Sequence, residues 1–309
     1  MRAVPLAVCL ALTMSAGVAC SSSKSSGAAT GPSTRQGPPP DYTFGHDRPL
    51  SILRVPDSYD PAKPAPLVIV LHGYGANGAV QNIFFNLGSV ADREGFFLIA
   101  PDGTRDQTGN QFWNGTDTCC DFDKRGVDDV KYLTGLVDEL AGFYNIDPKR
   151  VFLVGHSNGG SMSFRLACDA SDRFAALVDL AGPYFSNPAL CKPTSPVAVL
   201  HLHGTKDMEV PYDGEAAPNG AGRFGGALDA VNAWAAHDHC SPAPDTSAPP
   251  LAIDRDFPGA ETKVSRYTGC SANTAVELWT LQGSPHVPLN LTKELPSLIY
   301  GFLSNHAKP

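Results

Sequence analysis

The stretch VFLVGHSNGGSMSFRLA, residues 151–167, passes from an unbroken apolar run to a serine surrounded by glycines. Residues 151–154 show no polar alternation, which predicts a strand covered on both faces within a parallel sheet. Apolar residues then recur at helical spacing from Met162 to Ala167, so the chain passes from strand to helix within about two residues. The stretch therefore predicts a very tight turn with Ser157 at its centre.

Within this turn, GHSNG at residues 155–159 matches the pattern GxSxG. In that pattern the serine takes a strained backbone conformation, and the flanking glycines remove Cβ atoms that would collide with the neighbouring strand and helix. The serine oxygen is thereby raised above the carboxyl edge of the sheet, where open α/β sheets place their ligands. The pattern is also common by chance, so a glycine-rich turn without chemistry is the alternative until partner residues are found.

Strand-like and helix-like segments alternate along the chain from Leu50 onward, including a helix over about residues 80–93 and late strands near KVSRYTG and VELWTLQG. This alternation predicts an α/β fold with a mostly parallel sheet and helices on both faces. Residues 41–309 contain no internal repeat and no linker, so we predict a single catalytic domain over this range. The loops 101–126 and 241–262 are long enough to shape a substrate cleft.

The first 20 residues, MRAVPLAVCLALTMSAGVAC, contain one basic residue, an apolar centre and a run of small residues. This composition is typical of a bacterial export signal, and the segment is too short for a stable membrane anchor. We expect residues 1–19 to be removed, which makes Cys20 the first residue of the mature chain and a candidate for lipid attachment to a membrane. Residues 20–40 are rich in Ser, Gly and Pro and are predicted to form a tether. The protein is therefore expected to be secreted or anchored by lipid at the cell surface.

Cysteines are expected to form disulfides in an exported protein. Six of them remain once Cys9 leaves with the signal and Cys20 is set aside. Two expected pairs each bracket one region, and the third is what remains: Cys168–Cys191, Cys240–Cys270 and Cys119–Cys120. A metal site is the alternative for Cys and His together, but the chain contains no CxxC pair, and we predict no metal.

The chain is acidic, with a formal net charge of −8 that becomes −9 once Arg2 leaves with the signal. Its Lys and Arg residues are not clustered into a basic run. Because phosphate binding depends on Lys and Arg contacts, we expect no nucleic acid partner.

A serine hydroxyl is a poor nucleophile at neutral pH, so Ser157 needs a histidine base and a carboxylate that orients this base. In α/β hydrolases the partners follow in the order Ser, Asp or Glu, His. Asp207 follows a buried strand that ends at Gly204, at the carboxyl edge where the acid is needed. Asp213 and Asp229 are alternatives further along the chain.

The base is predicted from the same edge. His286 comes three residues after the late strand VELWTLQG, so it joins Ser157 and Asp207 at the carboxyl edge. The other histidines have simpler explanations. His237 and His239 lie at the end of a helix, and His306 lies near the chain terminus. His201 and His203 lie in a strand before the acid, and His156 directly adjoins the nucleophile.

Two backbone N–H groups must stabilise the negative charge of a tetrahedral intermediate. One is predicted at Asn158, directly after the nucleophile, and the other at Tyr74 in HGYG, residues 72–75, the loop after an early strand. Serine, acid, histidine and glycine loop all fall at strand ends in the required order, and this joint agreement favours the α/β-hydrolase fold.

Several segments together resemble the exported esterases of the polyhydroxybutyrate depolymerase and feruloyl esterase type: HGYG, VDDVKYL, YNIDPKRVFLVGHSNGGSMSFRLAC and HGTKDMEVPY. The resemblance covers about residues 65–303. It implies an α/β-hydrolase fold with Ser157 as nucleophile, Asp207 as acid and His286 as base. Around the histidine the sequence GSPHVPLN departs from the family pattern, which usually has glycines before the histidine and Trp-Pro after it.

The resemblance implies a serine esterase that hydrolyses polyhydroxyalkanoate-, feruloyl- or acetyl-type carboxylic esters through an acyl-enzyme on Ser157, without a cofactor. The expected partner is an ester substrate that is polymeric, cell-wall-derived or small. Trp113 and Asn114 lie in a long loop and are candidates for a substrate cleft that accepts aromatic groups. Packing of this loop beside Cys119 and Cys120 is the alternative.

Two other functions are consistent with the same residues. A serine peptidase of the prolyl oligopeptidase kind shares the triad order but normally adds a large capping domain, for which this chain has no room. A non-catalytic surface lipoprotein on the same scaffold would be marked by loss of a triad residue, whereas Ser157, Asp207 and His286 are all in place. Comparison of the hydrolysis rates of simple esters and peptide amides separates a peptidase from an esterase. Reaction with a fluorophosphonate probe separates an active serine hydrolase from a non-catalytic lipoprotein.

Overall fold

The computed structural model describes residues 37–215 and 223–309, and these contain ten strands and six α-helices. The strands are β1 (Ile52–Arg54), β2 (Ala65–Leu71), β3 (Phe97–Ala100), β4 (Thr104–Arg105), β5 (Gln111–Phe112), β6 (Ile146–His156), β7 (Ala176–Leu180), β8 (Ala198–Gly204), β9 (Thr262–Tyr267) and β10 (Val276–Leu281). The helices are α1 (Gly78–Phe85), α2 (Gly88–Glu94), α3 (Asp129–Phe143), α4 (Asn158–Asp169), α5 (Ala227–His237) and α6 (Leu295–Ser304).

Eight strands of the described part of the chain form one sheet in the order β1-β3-β2-β6-β7-β8-β10-β9, while β4 and β5 pair separately. Neighbouring strands run parallel except at the two edges, where β1 pairs antiparallel with β3 and β9 pairs antiparallel with β10. The predicted α/β fold with a mostly parallel sheet is thus confirmed. Because β6, β8 and β10 run in the same direction, their carboxyl ends lie at one edge of the sheet.

Alternate residues of the central strands face two separate apolar cores. On β2, Leu67 and Ile69 pack in one core, and Val68 and Val70 pack in the other. Helices α3, α4 and α5 contribute to the first core, and α1, α2 and α6 contribute to the second. The expected helices on both faces are confirmed, and this arrangement explains why the strands carry no polar alternation.

The segment predicted as one helix over about residues 80–93 forms two helices. Asn86 ends α1 with φ 47° and ψ 41°, in the left-handed region, and its N–H donates to Asn82 O. Helix α2 begins two residues later at Gly88. The single-helix prediction is wrong because an Asn with positive φ stops the helix, and apolar spacing alone does not reveal such a stop.

The described chain includes the last residues of the predicted tether. The N–H of Gly37 donates to Phe143 O at 3.3 Å, and Pro38 to Pro40 line a surface cavity that also includes Tyr144. Residues 37–40 therefore contact the domain. The predicted signal peptide and Cys20 lie outside the described residues. No α-helix of the described ranges is both long enough and apolar enough to span a bilayer.

Three disulfides form among the described residues, and they join the pairs expected from the sequence: Cys119–Cys120, Cys168–Cys191 and Cys240–Cys270. Cys168 lies on α4, so its bridge to Cys191 ties this helix to the segment before β8. The bridge from Cys240 to Cys270 ties the segment after α5 to the segment after β9. The disulfides thus fasten helices and loops around the sheet rather than the sheet itself.

Candidate active site

Ser157 lies at the turn between β6 and α4, with φ 54° and ψ −120°. The N–H of Ser157 donates to Leu180 O at 2.8 Å, and its carbonyl accepts the N–H of Ser161 at 2.9 Å. A positive φ is unfavourable for serine, so these hydrogen bonds hold the residue in a strained conformation. This conformation agrees with the tight turn predicted from the GxSxG pattern.

The glycines of this turn lie against neighbouring backbone. A Cβ atom on Gly155 would overlap with the carbonyl of Gly159, and a Cβ atom on Gly159 would overlap with the carbonyl of Leu71. Both positions therefore need glycine because the backbone of β6, α4 and β2 meets here without room for a side chain. The close approach places the serine hydroxyl beside the carboxyl ends of the neighbouring strands.

The structure brings the three predicted triad residues together. His286 Nε2 lies 2.8 Å from Ser157 Oγ, and His286 Nδ1 lies 2.7 Å from Asp207 Oδ2. His286 and Asp207 are each 5% exposed, so the hydrogen bond between them is shielded from solvent, whereas the contact with Ser157 Oγ is partly buried. The three residues follow the carboxyl ends of β6, β8 and β10, as the sequence analysis expects.

Asp207 is held by main-chain donors as well as by His286. Its Oδ1 accepts the N–H of Glu209 at 2.9 Å and the N–H of Val210 at 2.8 Å. Burial alone would raise the pKa of Asp207, but hydrogen bonds with His203 and His286 hold this pKa below its ordinary value. An ionised carboxylate can only accept, so His286 Nδ1–H donates to Asp207 and leaves the Nε2 lone pair facing the serine hydroxyl.

The HGYG loop lies beside the serine. A Cβ atom on Gly73 would lie 3.5 Å from Ser157 Cβ. Three N–H groups of the loop have acceptors within the chain: Gly73 donates to Gln81 Oε1, Gly75 to Gln111 O and Ala76 to Gly73 O. Among the described residues, the N–H of Tyr74 has no such acceptor. The N–H of Asn158, the first residue of α4, has no partner one turn back in its helix.

A cavity of about 270 Å³ opens beside Ser157 and His286. Its apolar wall is formed by Ala76, Val80, Phe84 and Val287. The ring of Tyr74 also lines the cavity and packs against Phe122, with the ring centroids 5.3 Å apart. Both rings are partly exposed, at 38% for Tyr74 and 49% for Phe122. They form an aromatic pair that extends from the cavity onto the surface, and we call it the aromatic rim.

Among the described residues that line this cavity, Glu209 is the one with a carboxylate. Its Oε2 lies 3.8 Å from His286 Nε2, and its side chain is 71% exposed. The described lining contains no Lys and no Arg. The opening of the cavity therefore carries a negative charge from Glu209.

Trp113 and Asn114, which were candidates for substrate contact, do not line this cavity. Trp113 is fully buried, and its indole N–H donates to His72 O at 3.1 Å. The side chain of Asn158 binds both the N–H and the carbonyl of Trp113. The amide of Asn114 donates to Val127 O at 2.9 Å. These contacts favour the packing alternative, because the loop is fixed by its Trp and Asn rather than opened by them.

Sequence reasoning missed three residues at this site, Glu209, Phe122 and Val287, and it gave His156 no role there. Glu209 and Val287 each lie one or two positions after a triad residue, so their adjacency to the predicted acid and base was the available signal. Phe122 comes from the long loop, and no spacing rule predicts which aromatic residue of a loop reaches the surface. No cluster of three or more His, Cys, Asp or Glu in ranges 37–215 and 223–309 is arranged to hold a metal ion.

Several known esterases are similar to this chain. The model of the family described as phospholipase/carboxylesterase matches residues 57–219, just over half of the chain. Feruloyl esterase B of Piromyces equi is 27% identical over 242 residues, which cover 76% of this chain and 42% of that protein. Feruloyl esterase C of Emericella nidulans is 30% identical over 170 residues, which cover 53% of this chain and 56% of that protein. The chain thus spans about half the length of these relatives.

One solved structure shows the same fold over most of the chain. Acetyl xylan esterase from Aspergillus awamori superposes with a TM-score of 0.57 at 15% identity, over 82% of this chain and 93% of that chain. At this identity the likeness concerns the fold alone. Together with the family match, it shows that this chain belongs to the phospholipase/carboxylesterase family and has the α/β-hydrolase fold.

Proposed function

We propose that this protein is a serine esterase that hydrolyses carboxylic esters through an acyl-enzyme on Ser157. The observation that carries the proposal is the continuous hydrogen-bond chain from Ser157 Oγ through His286 to Asp207. Membership of the phospholipase/carboxylesterase family supports it. The relatives named feruloyl esterase support the same reaction type.

In the first half of the reaction, Ser157 Oγ attacks the ester carbonyl carbon while its proton passes to His286 Nε2. The negative charge on the carbonyl oxygen is stabilised by the N–H groups of Tyr74 and Asn158. The ionised Asp207 stabilises the imidazolium that forms on His286. The bond from carbon to the alcohol oxygen then breaks, and the alcohol leaves with the proton from Nε2.

In the second half, water attacks the acyl group on Ser157. His286 Nε2 takes a proton from this water, and the same two N–H groups stabilise the second tetrahedral intermediate. The carbon–Oγ bond breaks, Ser157 Oγ regains the proton, and the carboxylic acid leaves. No further reagent is consumed, since water supplies the oxygen and both hydrogens that balance the products.

The cavity bears on the substrate class. Ligand pockets in proteins usually have volumes of about 300–1,000 Å³, and the cavity beside Ser157 has about 270 Å³. We propose that a small or slender part of a polyhydroxyalkanoate-, feruloyl- or acetyl-type ester occupies it, and that the remainder lies over the aromatic rim of Tyr74 and Phe122. We propose that the protein acts outside the cell, either secreted or attached through a lipid on Cys20, and the disulfides support this location.

The test is hydrolysis of an ester panel, from p-nitrophenyl acetate through longer acyl chains to methyl ferulate and a soluble hydroxybutyrate oligomer. We expect Ser157→Ala to lose at least about 1000-fold in kcat. Ser163→Ala is the matched control, because Ser163 lies on α4 and donates to Gly159 O outside the cavity. A fluorophosphonate should add its mass to the wild type and not to Ser157→Ala.

Peptide amides added to this panel separate the alternatives. Cleavage of peptide amides in preference to esters would replace the esterase by a serine peptidase. Inertness of the wild type toward every ester, every amide and the probe would leave the non-catalytic surface lipoprotein.

A further inference from the structure

A row of buried polar side chains continues behind Asp207, away from the serine. His203 Nε2 lies 2.8 Å from Val210 O and 3.2 Å from Asp207 Oδ2. His203 Nδ1 lies 3.1 Å from His201 Nε2, and His201 Nδ1 contacts Asp179 Oδ2. The histidine side chains are each 1% exposed and the two carboxylates are not exposed at all. None of these contacts is therefore shared with bulk water.

The strands dictate this arrangement. His201 and His203 are alternate residues of β8 and point to the same face of the sheet, and Asp179 is the β7 residue paired with His201. The carboxylate fits because two glycines lie against it: a Cβ atom on Gly160 or on Gly182 would overlap with Asp179 Oδ1. The N–H of Gly182 donates to the same oxygen at 3.0 Å.

Two aromatic rings of the described structure also pack against the two histidines, and neither brings a carboxylate or an imidazole. The ring of Phe164 lies 5.9 Å from that of His201, and the ring of Tyr212 lies 5.6 Å from that of His203. The Tyr212 hydroxyl pairs with Thr280 Oγ1 at 2.8 Å. The ionisable groups in this row are thus Asp179 at one end, the two histidines, and Asp207 with its own partner His286 at the other end.

The hydrogen bonds of this row need more protons than two neutral histidines carry. The row has three contacts: Asp179 with His201, His201 with His203, and His203 with both Val210 and Asp207. In each contact, the atoms on both sides can accept a hydrogen bond. Each contact needs one proton, or two lone pairs would face each other in a site without water. Two neutral imidazoles supply only two protons.

We propose that Asp179, His201 and His203 together hold three protons, and that this neutral unit positions Asp207 for His286. The third proton is held on the Asp179–His201 pair or on His203, and each placement gives the unit a net charge of zero. With two protons, the unit would carry a buried negative charge beside the ionised Asp207, which low dielectric makes costly. His203 therefore always presents an N–H at Nε2.

The N–H of His203 affects the active site because it faces the same Asp207 oxygen that binds His286. His203 Nε2 and His286 Nδ1 both face Asp207 Oδ2, at 3.2 Å and 2.7 Å. Asp207 Oδ1 is fixed separately by the two main-chain donors already described. A lone pair on His203 Nε2 would instead repel the carboxylate and turn it away from His286. His203 is a positioning residue in this sense, and this role rests on the proposed function.

The proton count can be measured directly, without any reaction. In protein labelled with ¹⁵N-histidine and ¹³C-aspartate, nitrogen shifts report which ring nitrogens of His201 and His203 carry protons, and the carboxyl shift reports whether Asp179 is ionised. We expect three protons in total at pH 7, with His203 Nε2 protonated. A total of two, or an unprotonated His203 Nε2, would overturn the proposal even in an enzyme that hydrolyses esters well.

Two variants test the positioning role. The amide of Asp179→Asn can donate to His201 Nδ1 and lets both histidines remain neutral with every contact satisfied, so kcat should stay within about threefold of wild type. His203→Phe removes the N–H that faces Asp207 Oδ2, and kcat should fall at least about tenfold with KM nearly unchanged. Equal kcat in His203→Phe and the wild type would refute the role. If His203→Phe does not fold, the proton count on the wild type decides.

Discussion

His156 Nε2 lies 3.1 Å from the carbonyl oxygen of His286, so the residue before the nucleophile holds the main chain of the base. The His156 side chain is buried, and burial, with a smaller contribution from the charge of His286, lowers the pKa of His156 to about 4. The ring is therefore neutral above pH 5, and its Nε2–H donates to the carbonyl. Ser157 and His286 are positioned by the same hydrogen bond.

Replacing His156 should loosen the base. In His156→Phe the donor is lost, and we expect kcat to fall about tenfold because small displacements of a catalytic group are costly. Binding should change little, so KM should stay close to that of the wild type. The matched variant His156→Gln keeps an amide donor near the Nε2 position and should retain most of the activity. Measurement of kcat and KM on a p-nitrophenyl ester checks this, and equal kcat in both variants and the wild type would refute it.

Asp207→Asn should be far more damaging. An amide at this position favours the wrong tautomer of His286 and removes the charge that stabilises the imidazolium, so kcat should fall by about 10³–10⁴. Asp213→Asn is the control, because Asp213 is the alternative acid of the sequence analysis and is exposed in the structure. It should stay near wild-type activity. A large loss in Asp213→Asn with an active Asp207→Asn would move the acid to Asp213.

The positions of Ser157, Asp207 and His286 could be predicted because the parallel sheet places the ends of successive strands at one edge. Each of these residues comes shortly after a strongly apolar strand. A predicted strand end that is wrong by one or two residues therefore still places the residue at the same edge of the sheet. Periodicity also predicted the sheet and its helices. These are properties of single segments, which sequence patterns describe well.

The residues around the triad are placed by contacts between segments that are distant in the sequence. The periodicity of a single segment does not predict such contacts. Phe122 of the long loop packs against Tyr74, whereas Trp113, for which both a cleft and a packing role were open, is buried. His201 and His203 were placed in a strand before the acid, but their link to Asp179 follows from the register of β7 and β8. A sequence pattern predicts strands and leaves their register open.

Gly155→Ala should destabilise the fold strongly. The new Cβ would overlap with the carbonyl of Gly159, and backbone on both sides prevents relief, so we expect a loss of about 3 kcal/mol or more in the free energy of unfolding. Gly135→Ala is the matched control, since Gly135 lies exposed on α3 and has nothing within 4 Å of the added Cβ. That variant should gain about 0.5–1 kcal/mol from better helix propensity. Urea unfolding of both variants checks the pair, and equal effects would contradict the steric argument.

Asp238 gives the fold a pH dependence of unusual sign. Its side chain is fully buried after α5, and neither carboxylate oxygen has a hydrogen bond of ordinary length among the described residues. Burial raises the pKa of Asp238 to about 6, against the opposing effects of Thr274 and Lys308. Because the folded chain binds this proton more tightly than the unfolded chain, its contribution to stability is full below pH 4 and is lost as the pH rises toward 6.

Asp238→Asn removes this titration. The shift from 3.8 to about 6 corresponds to about 3 kcal/mol at most. The Asn variant should match the wild type at pH 4 and exceed its free energy of unfolding by up to that amount at pH 7. Asp41→Asn changes an exposed carboxylate and should stay within about 0.5 kcal/mol of wild type at both pH values. A pH-independent difference between Asp238→Asn and the wild type would show that Asp238 does not titrate in this range.

Glu209 should make the enzyme discriminate against anionic esters. Its carboxylate stands 3.8 Å from His286 Nε2, and no Lys or Arg among the described lining residues balances it. A second negative charge in the cavity is repelled by about 1 kcal/mol at effective dielectrics suited to an exposed group, which salt screens further. We compare p-nitrophenyl hemisuccinate with p-nitrophenyl butyrate. Glu209→Gln should raise the ratio of their kcat/KM values about three- to tenfold, and added salt should raise the ratio in the wild type. Asp213→Asn, which removes an acid outside the cavity, should leave the ratio unchanged; if it shifts the ratio as much as Glu209→Gln does, the discrimination comes from net charge rather than from the carboxylate beside His286.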